Sequence, residues 1–334
     1  MRIVLDAMGG DYAPKEIVNG AIAAAEEVDA ELILTGDPAA IAAVAGGLPK
    51  KIQIVATTEV IEMHEEPVNA VRRKRDSSLV IGASLVKKGE ADAFVSAGNT
   101  GAVTAAAHLM WHCLPNISRP AIATVIPSRT GKFVLLDSGA TPDADAENLL
   151  QFAIMGGAYA ETVLGVRNPK IALLNIGAEQ GKGNLLSKAA YKLLKEKLPD
   201  FCGNIEGKHL FNGDVDVVVC DAFVGNVLLK TAQGLGDFVF DLFKESVPKN
   251  FFLRLPLVLL KGGIGRLKKK MDYAEYGGAP LLGVNGICFI CHGHSSAKAI
   301  KNALILAQKG HERHLNAMIG ERAATIESGD KISV

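Results

Sequence analysis

The chain has 334 residues, nearly half of them apolar, and its 36 basic side chains are matched by 36 acidic ones. That length holds a sizeable core, and the zero formal charge excludes any whole-molecule bias toward nucleic acid or an anionic membrane. The odd, scattered set of five cysteines argues against a disulfide framework, and no run reaches the roughly 18 apolar residues of a membrane span.

Met1 and Arg2 lead straight into a strand-like run, so the expectation is a cytosolic protein with reduced thiols. In chain order, β-branched runs predict strands at 2–6, 31–35, 52–55, 92–96, 121–126, 133–137, 170–175 and 215–220, with two more near 282–290. Helical periodicity fills the gaps, over 14–27, 77–88, 99–112, 145–163, 184–198, 223–246 and 295–319. Over 184–198, Leu185, Leu186, Ala189, Ala190, Leu193 and Leu194 share one face, with lysines opposite. Strand–helix alternation with few aromatics predicts an α/β fold, a mostly parallel sheet with right-handed crossovers covered by helices. No Pro/Ser-rich linker divides residues 1–334, so one integrated domain is expected.

Five predicted strands end in Gly-containing turns that open helices: "AMGGDYAP" (7–14), "AGNTGA" (97–102), "SGATPDAD" (138–145), "IGAEQGKGN" (176–184) and "DAFVGN" (221–226). In a parallel sheet such turns gather at the carboxyl ends of the strands, where ligands bind. Glycine lets backbone approach a ligand, and the N–H groups of a helix start favour an anion. The stretch "NIGAEQGKGN" resembles a phosphate loop one residue short. Only three residues separate Gly177 from Gly181, and Gly183 follows Lys182 where a nucleotide loop has the Ser or Thr that holds Mg²⁺. Lys182 offers a point charge, while Asn175 and Asn184 offer amides; the plainer alternative is that Asn184 caps a helix and Lys182 is solvated.

Other motifs carry paired readings. Asp6 and Asp11 bracket Gly9 and Gly10, as a metal-holding or acid–base pair or, equally, as turn and helix caps. In "DAFVGNVLLK", Asp221 stands at a strand tip, and Asn226 and Lys230, four residues apart, share a helical face that could meet one anion. "CFICHGHSS" (288–296) contains the spacing of a haem attachment site, but Cys288 and Cys291 on a strand face opposite sides; His292 reads better as part of another strand-end turn. His108 and His112 lack the glutamate of a zinc-protease helix, so no metal site is expected. Arg72, Arg73 and Lys74 belong to "RRKR", a solvated face or a landing site for an acidic partner. The basic amphipathic stretch within 247–271 places Phe251, Phe252, Leu255 and Leu259 beside Lys268 and Lys269. It reads as a membrane-surface or dimer-tip element, against a core helix followed by a basic turn.

Taken together these stretches resemble the phosphate acyltransferase family of bacterial phospholipid synthesis, the PlsX proteins. The resemblance is carried by "DAMGGD", "EEPVNAVRRKRDSSL", "SAGNTGA", "RPAIA", "LLDSGA", "LLNIGAEQGKGN", "DAFVGNVLLK", "YGGAPLLGVNG" and the His292–Ser295 turn, in order along the whole chain. It implies a three-layer α/β/α fold similar to isocitrate and isopropylmalate dehydrogenases and phosphate acetyltransferases. It also implies a homodimer that touches the membrane peripherally. The implied reaction moves a long acyl group from acyl carrier protein to inorganic phosphate, giving acyl phosphate for glycerol-phosphate acylation. The chain departs from the family at Cys291, His294 and Ser296, where Ser, Ser and Asn are common, and at Asn69, where Arg is common.

On that basis Lys182, Asn226 and Lys230 are expected at phosphate, Asn99 and Asn175 as oxyanion donors, and His292 as proton donor to the leaving thiolate. Asp6, Gly9, Gly10, Thr100, Gly181, Asn184, Asp221 and Ser295 complete the expected phosphate or acyl-phosphate site. Arg72, Arg73 and Lys74 would receive the carrier protein, and neither metal nor cofactor is expected. A coenzyme A-dependent phosphate acetyl- or butyryltransferase, a hydroxy-acid dehydrogenase and a non-catalytic phosphate or acyl-phosphate sensor stay open as alternatives.

Overall fold

Strand β1 (Arg2–Asp6) sets the pattern of the molecule. Ile3 and Leu5 enter one apolar cluster and Val4 another, so both faces of the strand are covered, as the continuous apolar run requires. The computed structural model describes residues 1–246 and 277–327. The first part of the chain runs α1 (Lys15–Ala25), β2 (Glu31–Gly36), α2 (Pro38–Ala45), β3 (Ile52–Ala56), α3 (Pro67–Arg73), α4 (Ser78–Lys87), β4 (Ala93–Ser96) and α5 (Thr100–Trp111). There follow β5 (Ala121–Ile122), β6 (Thr124–Pro127), β7 (Lys132–Leu136), α6 (Ala146–Thr162), β8 (Ile171–Asn175), α7 (Leu185–Lys197), β9 (Phe201–Glu206), β10 (Val217–Val219) and α8 (Ala222–Ser246). Beyond residue 276 come β11 (Ala279–Leu282), β12 (Ile287–Ile290), α9 (Ala297–Glu312) and α10 (Leu315–Glu327).

The fold is α/β, as expected, but it is built on two mostly parallel sheets. The first has the order β3-β2-β1-β4-β12-β11-β5 and the second β6-β7-β10-β8-β9. Only β11, β5 and β6 bring antiparallel pairings. One buried cluster joins the sheets: Leu5 and Val95 of the first share it with Leu136 and Val219 of the second, under α1, α6 and α9. The opposite faces carry separate clusters, one beneath α4 and α5 and one beneath the inner side of α8.

The predicted single strand 121–126 is divided at Ala123, with β5 in the first sheet and β6 in the second. Ala123 is fully buried and its N–H donates to Pro280 O at 3.0 Å, which turns the chain from one sheet to the other. The predicted helix 295–319 likewise breaks, because His314 takes the left-handed conformation at φ 53° between α9 and α10. The residues expected at a membrane surface, Phe251, Phe252, Leu255, Leu259, Lys268 and Lys269, lie outside the described residues. Among those described, no helix is long and apolar enough to cross a membrane.

Candidate active site

The Gly-rich turns divide between the sheets. Those after β1 and β4 lie on the first, and those after β7, β8 and β10 on the second. On the first sheet three turns interlock. Gly10, at φ 112°, faces the carbonyls of Ala97 and Gly293, and Asp11 N–H donates to Gly293 O at 2.7 Å. A Cβ on Gly9 would overlap the Asp6 carboxylate and the Gly98 nitrogen, so glycine is required for this approach. Asp6 is buried and accepts from Ser96 Oγ at 2.7 Å and Met8 N at 3.2 Å. Burial raises its pKa, against hydrogen bonds from Ser78 and Ser96 that lower it.

Asn99 caps α5 by accepting from Ala102 N–H at 3.0 Å. Its Nδ2 donates to the carbonyls of Met63 and Glu65, each at 3.0 Å, and of Glu62 at 3.4 Å. The Nδ2 end of this amide thus braces the 62–66 turn while the Oδ1 end caps α5, and neighbouring Thr100 is exposed. Ser295 is buried, its N–H on His292 O at 2.9 Å.

On the second sheet, Asn175 closes the short loop upon itself. Its Nδ2 donates to Lys182 O at 3.2 Å and its Oδ1 accepts from Ile176 N at 2.8 Å. Gly183, at φ 95°, passes so close to Asn175 and Ser187 that a side chain would overlap them. Asn184 caps α7 through Ser187 N–H at 2.8 Å, and Gly181 and Lys182 are exposed. One strand along, Asp221 caps the start of α8 through Val224 N–H at 2.9 Å, and Asn226 and Lys230 project exposed from its first turns. Because β8 and β10 are neighbours, the loop that carries Lys182 and the helix that carries Lys230 follow adjacent strands, and both lysines are exposed.

The sheets meet chemically at His292. Burial pushes its imidazole pKa down, and the positive charges of His294 and Lys230 push it further. Lys230 belongs to α8, which follows the second sheet's β10, and His292 follows β12 of the first, so the charge of one sheet's helix reaches the other sheet's strand end. His294 stacks on His292 with ring centres 5.4 Å apart. Around the tips, large apolar side chains stand in solvent: Ile176 is 81% exposed, Leu185 89% and Phe223 69%. Adjacent cations beside exposed apolar groups suit a ligand with an anionic head and an apolar tail.

Some features lie elsewhere or act differently. Arg72 and Arg73 are exposed on the last turn of α3, whereas Lys74 pairs with Glu65 at 2.6 Å and donates to Val60 O at 2.7 Å. Cys288 and Cys291 fall in different apolar clusters, and burial raises both thiol pKa values. A cavity of about 290 Å³ beside β9 is lined by Glu206 and Asp214, carboxylates that disfavour phosphate there. Asp137, at the tip of β7, is a site-bordering acid that no spacing motif singles out. It is fully buried, and four backbone N–H groups converge on its carboxylate; the strand-end "DSGA" was the available signal.

The architecture is that of the phosphotransacetylases. The chain superposes on a phosphotransacetylase from Streptococcus pyogenes with TM-score 0.65 at 19% identity, covering 93% of this chain and 94% of that one. It also matches the EutD phosphotransacetylase from Staphylococcus aureus, with TM-score 0.61 at 17% identity and the same coverage. In sequence, the family model described as "Fatty acid synthesis protein" matches residues 1–318. A "Phosphate acyltransferase" of Desulfitobacterium hafniense (strain DSM 10664 / DCB-2) is 52% identical over 312 residues, 92% of this chain and 93% of that protein. The protein of the same name from Heliobacterium modesticaldum is 50% identical over 325 residues, 96% and 97% of the two chains. The chain belongs to this phosphate acyltransferase family, and it is a transferase.

Proposed function

We propose that the enzyme transfers a long acyl group from the thioester of acyl carrier protein to inorganic phosphate, reversibly. The observation that supports the reading is that exposed Lys182 and Lys230 lie on the segments following adjacent strands β8 and β10, which also carry the exposed apolar Ile176, Leu185 and Phe223. Phosphate would sit between the short loop and the first turns of α8, held by Lys182, Lys230 and the Asn226 amide. A monophosphate needs fewer donors than a nucleotide, which suits a loop one residue short.

A phosphate oxygen forms the new C–O bond at the thioester carbonyl, and the C–S bond then breaks. The proton of hydrogen phosphate ends on the leaving sulfur, so no net proton is consumed. His292, whose lowered pKa keeps the imidazole neutral, would take that proton from phosphate and return it to the thiolate. A neutral imidazole fits such a shuttle better than the simple donor expected from sequence. Oxyanion stabilisation in such a site is worth roughly 3 kcal/mol per donor. The Asn99 amide holds the 62–66 turn and the Asn175 amide its own loop.

Within this reading Arg72 and Arg73 receive the acidic carrier protein. The outer side of α8, where Leu235, Phe238, Val239 and Leu242 are exposed, packs on a second copy in a homodimer. The enzyme works in the cytoplasm, peripherally associated with the membrane through 247–271, where it supplies a membrane glycerol-phosphate acyltransferase. Phosphate-dependent release of carrier-protein thiol from palmitoyl-acyl carrier protein tests the reaction, with wild type beside Lys182→Ala. Turnover that requires phosphate and collapses in the variant is expected. Equal turnover moves phosphate off the short loop, activity only with acetyl-coenzyme A makes the enzyme an acetyltransferase, and ligand binding without turnover makes it a sensor.

A further inference from the structure

Asp137 is a buried acid that the reaction above leaves without a task. Its Oδ1 accepts from Ile122 N–H and Gly139 N–H, each at 2.9 Å, and from Ala140 N–H at 3.0 Å. Its Oδ2 accepts from Thr141 N–H at 2.7 Å and Ala140 N–H at 3.2 Å. Ile122 lies in β5 of the first sheet, whereas Asp137 directly follows β7 of the second, so the carboxylate spans the junction at which the chain changes sheets. Ser138 doubles the tie, with its N–H and Oγ both on Ile122 O at 3.0 Å.

The other side of this turn seats α8. Thr141 O accepts from Ala222 N–H at 3.2 Å, and the Asp137 backbone carbonyl lies against Gly225, where any Cβ would overlap it. Gly139 borders the Asn226 amide: a Cβ on it would lie 3.4 Å from Asn226 Nδ2. One carboxylate thus governs both where the first turn of α8 sits and how that turn is held to the opposite sheet. Being fully buried, it touches no substrate. Asp6, its counterpart at the tip of β1, bonds to Ser96 of the neighbouring strand in its own sheet and spans no junction.

We propose that Asp137 is a positioning residue of the phosphate site, holding the α8 turn that carries Asn226 and Lys230 in place across the junction from His292. The proposal rests on the phosphate reading above. In Asp137→Asn, an NH₂ group must face backbone N–H donors, which forces the turn to move. In the folded full-length variant the phosphate KM should rise at least about fivefold while the thioester KM stays within about twofold, a split that general loosening would not give. Adding Asn226→Ala should then cost less than it costs the wild type, since the two residues act through one turn.

A folded Asp137→Asn enzyme with unchanged phosphate KM, or with effects that multiply independently, overturns the proposal. Gly225→Ala presses on the same turn while sparing the carboxylate, and it should reproduce the split if Asp137→Asn does not fold. If neither variant folds, Asp137 is a folding residue and the proposal falls. Should the wild type show no acyl transfer, calorimetric titration with inorganic phosphate separates the two ideas. Weaker phosphate binding in the variant keeps Asp137 in its role and discards the reaction, whereas equal binding, or none by either protein, overturns the role.

Discussion

Replacing Asn99 separates bracing from catalysis. The side chain caps α5 through Ala102 N–H and donates to the carbonyls of Met63 and Glu65 at 3.0 Å. Loss of the cap costs about 1 kcal/mol, and each of the two good carbonyl bonds contributes about 1 kcal/mol net, so Asn99→Ala should cost about 3 kcal/mol. Unfolding entropy is about 2.1 cal/mol/K per residue, or about 0.7 kcal/mol/K for 334 residues, which converts that loss into a Tm fall of about 4 °C. Asn99→Asp keeps the cap acceptor but turns the donor into a second oxygen facing three carbonyls, so its fall should be roughly twice as large. Scanning calorimetry at pH 8 reads both. An aspartate variant as stable as the alanine variant, or more so, refutes the bracing assignment. A kcat lowered roughly 100-fold at unchanged Tm would instead restore the oxyanion role expected from sequence.

The lowered pKa of His292 fixes the sign of a pH effect. Between its folded value and the ordinary 6.5 the unfolded chain binds more protons, so stability rises with pH through that window and falls as pH drops through it. Melts from pH 5 to 8 should show a shallower slope in His292→Gln than in wild type, and parallel slopes would remove the assignment. Arg72→Glu with Arg73→Glu should raise the KM for acyl carrier protein and spare that for phosphate. Lys74→Ala, which breaks the Glu65 pair and the Val60 contact, should lower Tm instead; a carrier-specific KM effect from Lys74→Ala would contradict this division. Phe238→Glu should shift the protein from dimer to monomer in sedimentation velocity, and an unchanged dimer would place the interface elsewhere.

Much of the fold is legible in residue order because parallel strands buried on both faces are continuous apolar runs, as at Ile3–Leu5 and Phe133–Leu136. What escaped was short or lacked punctuation. Helix α2 carries good signals, with Asp37 as cap, Pro38 at its first turn and Gly46 left-handed beyond it, but spans only Pro38–Ala45. Strand β9 reads "FCGNIE", with Ile205 its one buried side chain, so no alternation marks it. The division at Ala123 has no glycine or proline inside the apolar run to announce it. At the site, glycines and lysines at strand tips point to an anion from spacing alone. Whether an amide faces a ligand or its own loop depends on angles that spacing does not carry, which is why Asn99 and Asn175 are braces. Asp137 was hidden for a related reason: an acid beneath its own turn looks, in sequence, like any other turn aspartate.

The order of strands also dictates when each sheet can exist during synthesis. All of the second sheet comes from one continuous stretch, Thr124 to Val219, so it can assemble while the chain is still being made. The first sheet cannot. Its β12, residues Ile287–Ile290, sits between β4 and β11, and β5 pairs only with β11. Until that late strand emerges, the β4 edge stays unpaired and the half-site at Asp11 has no Gly293 to meet. A nascent chain stalled before β12 would therefore carry the 175–184 loop complete and His292 missing, its β4 edge open to pairing with a neighbour's strand. Closing the first sheet thus depends on contacts distant in sequence, which form slowly.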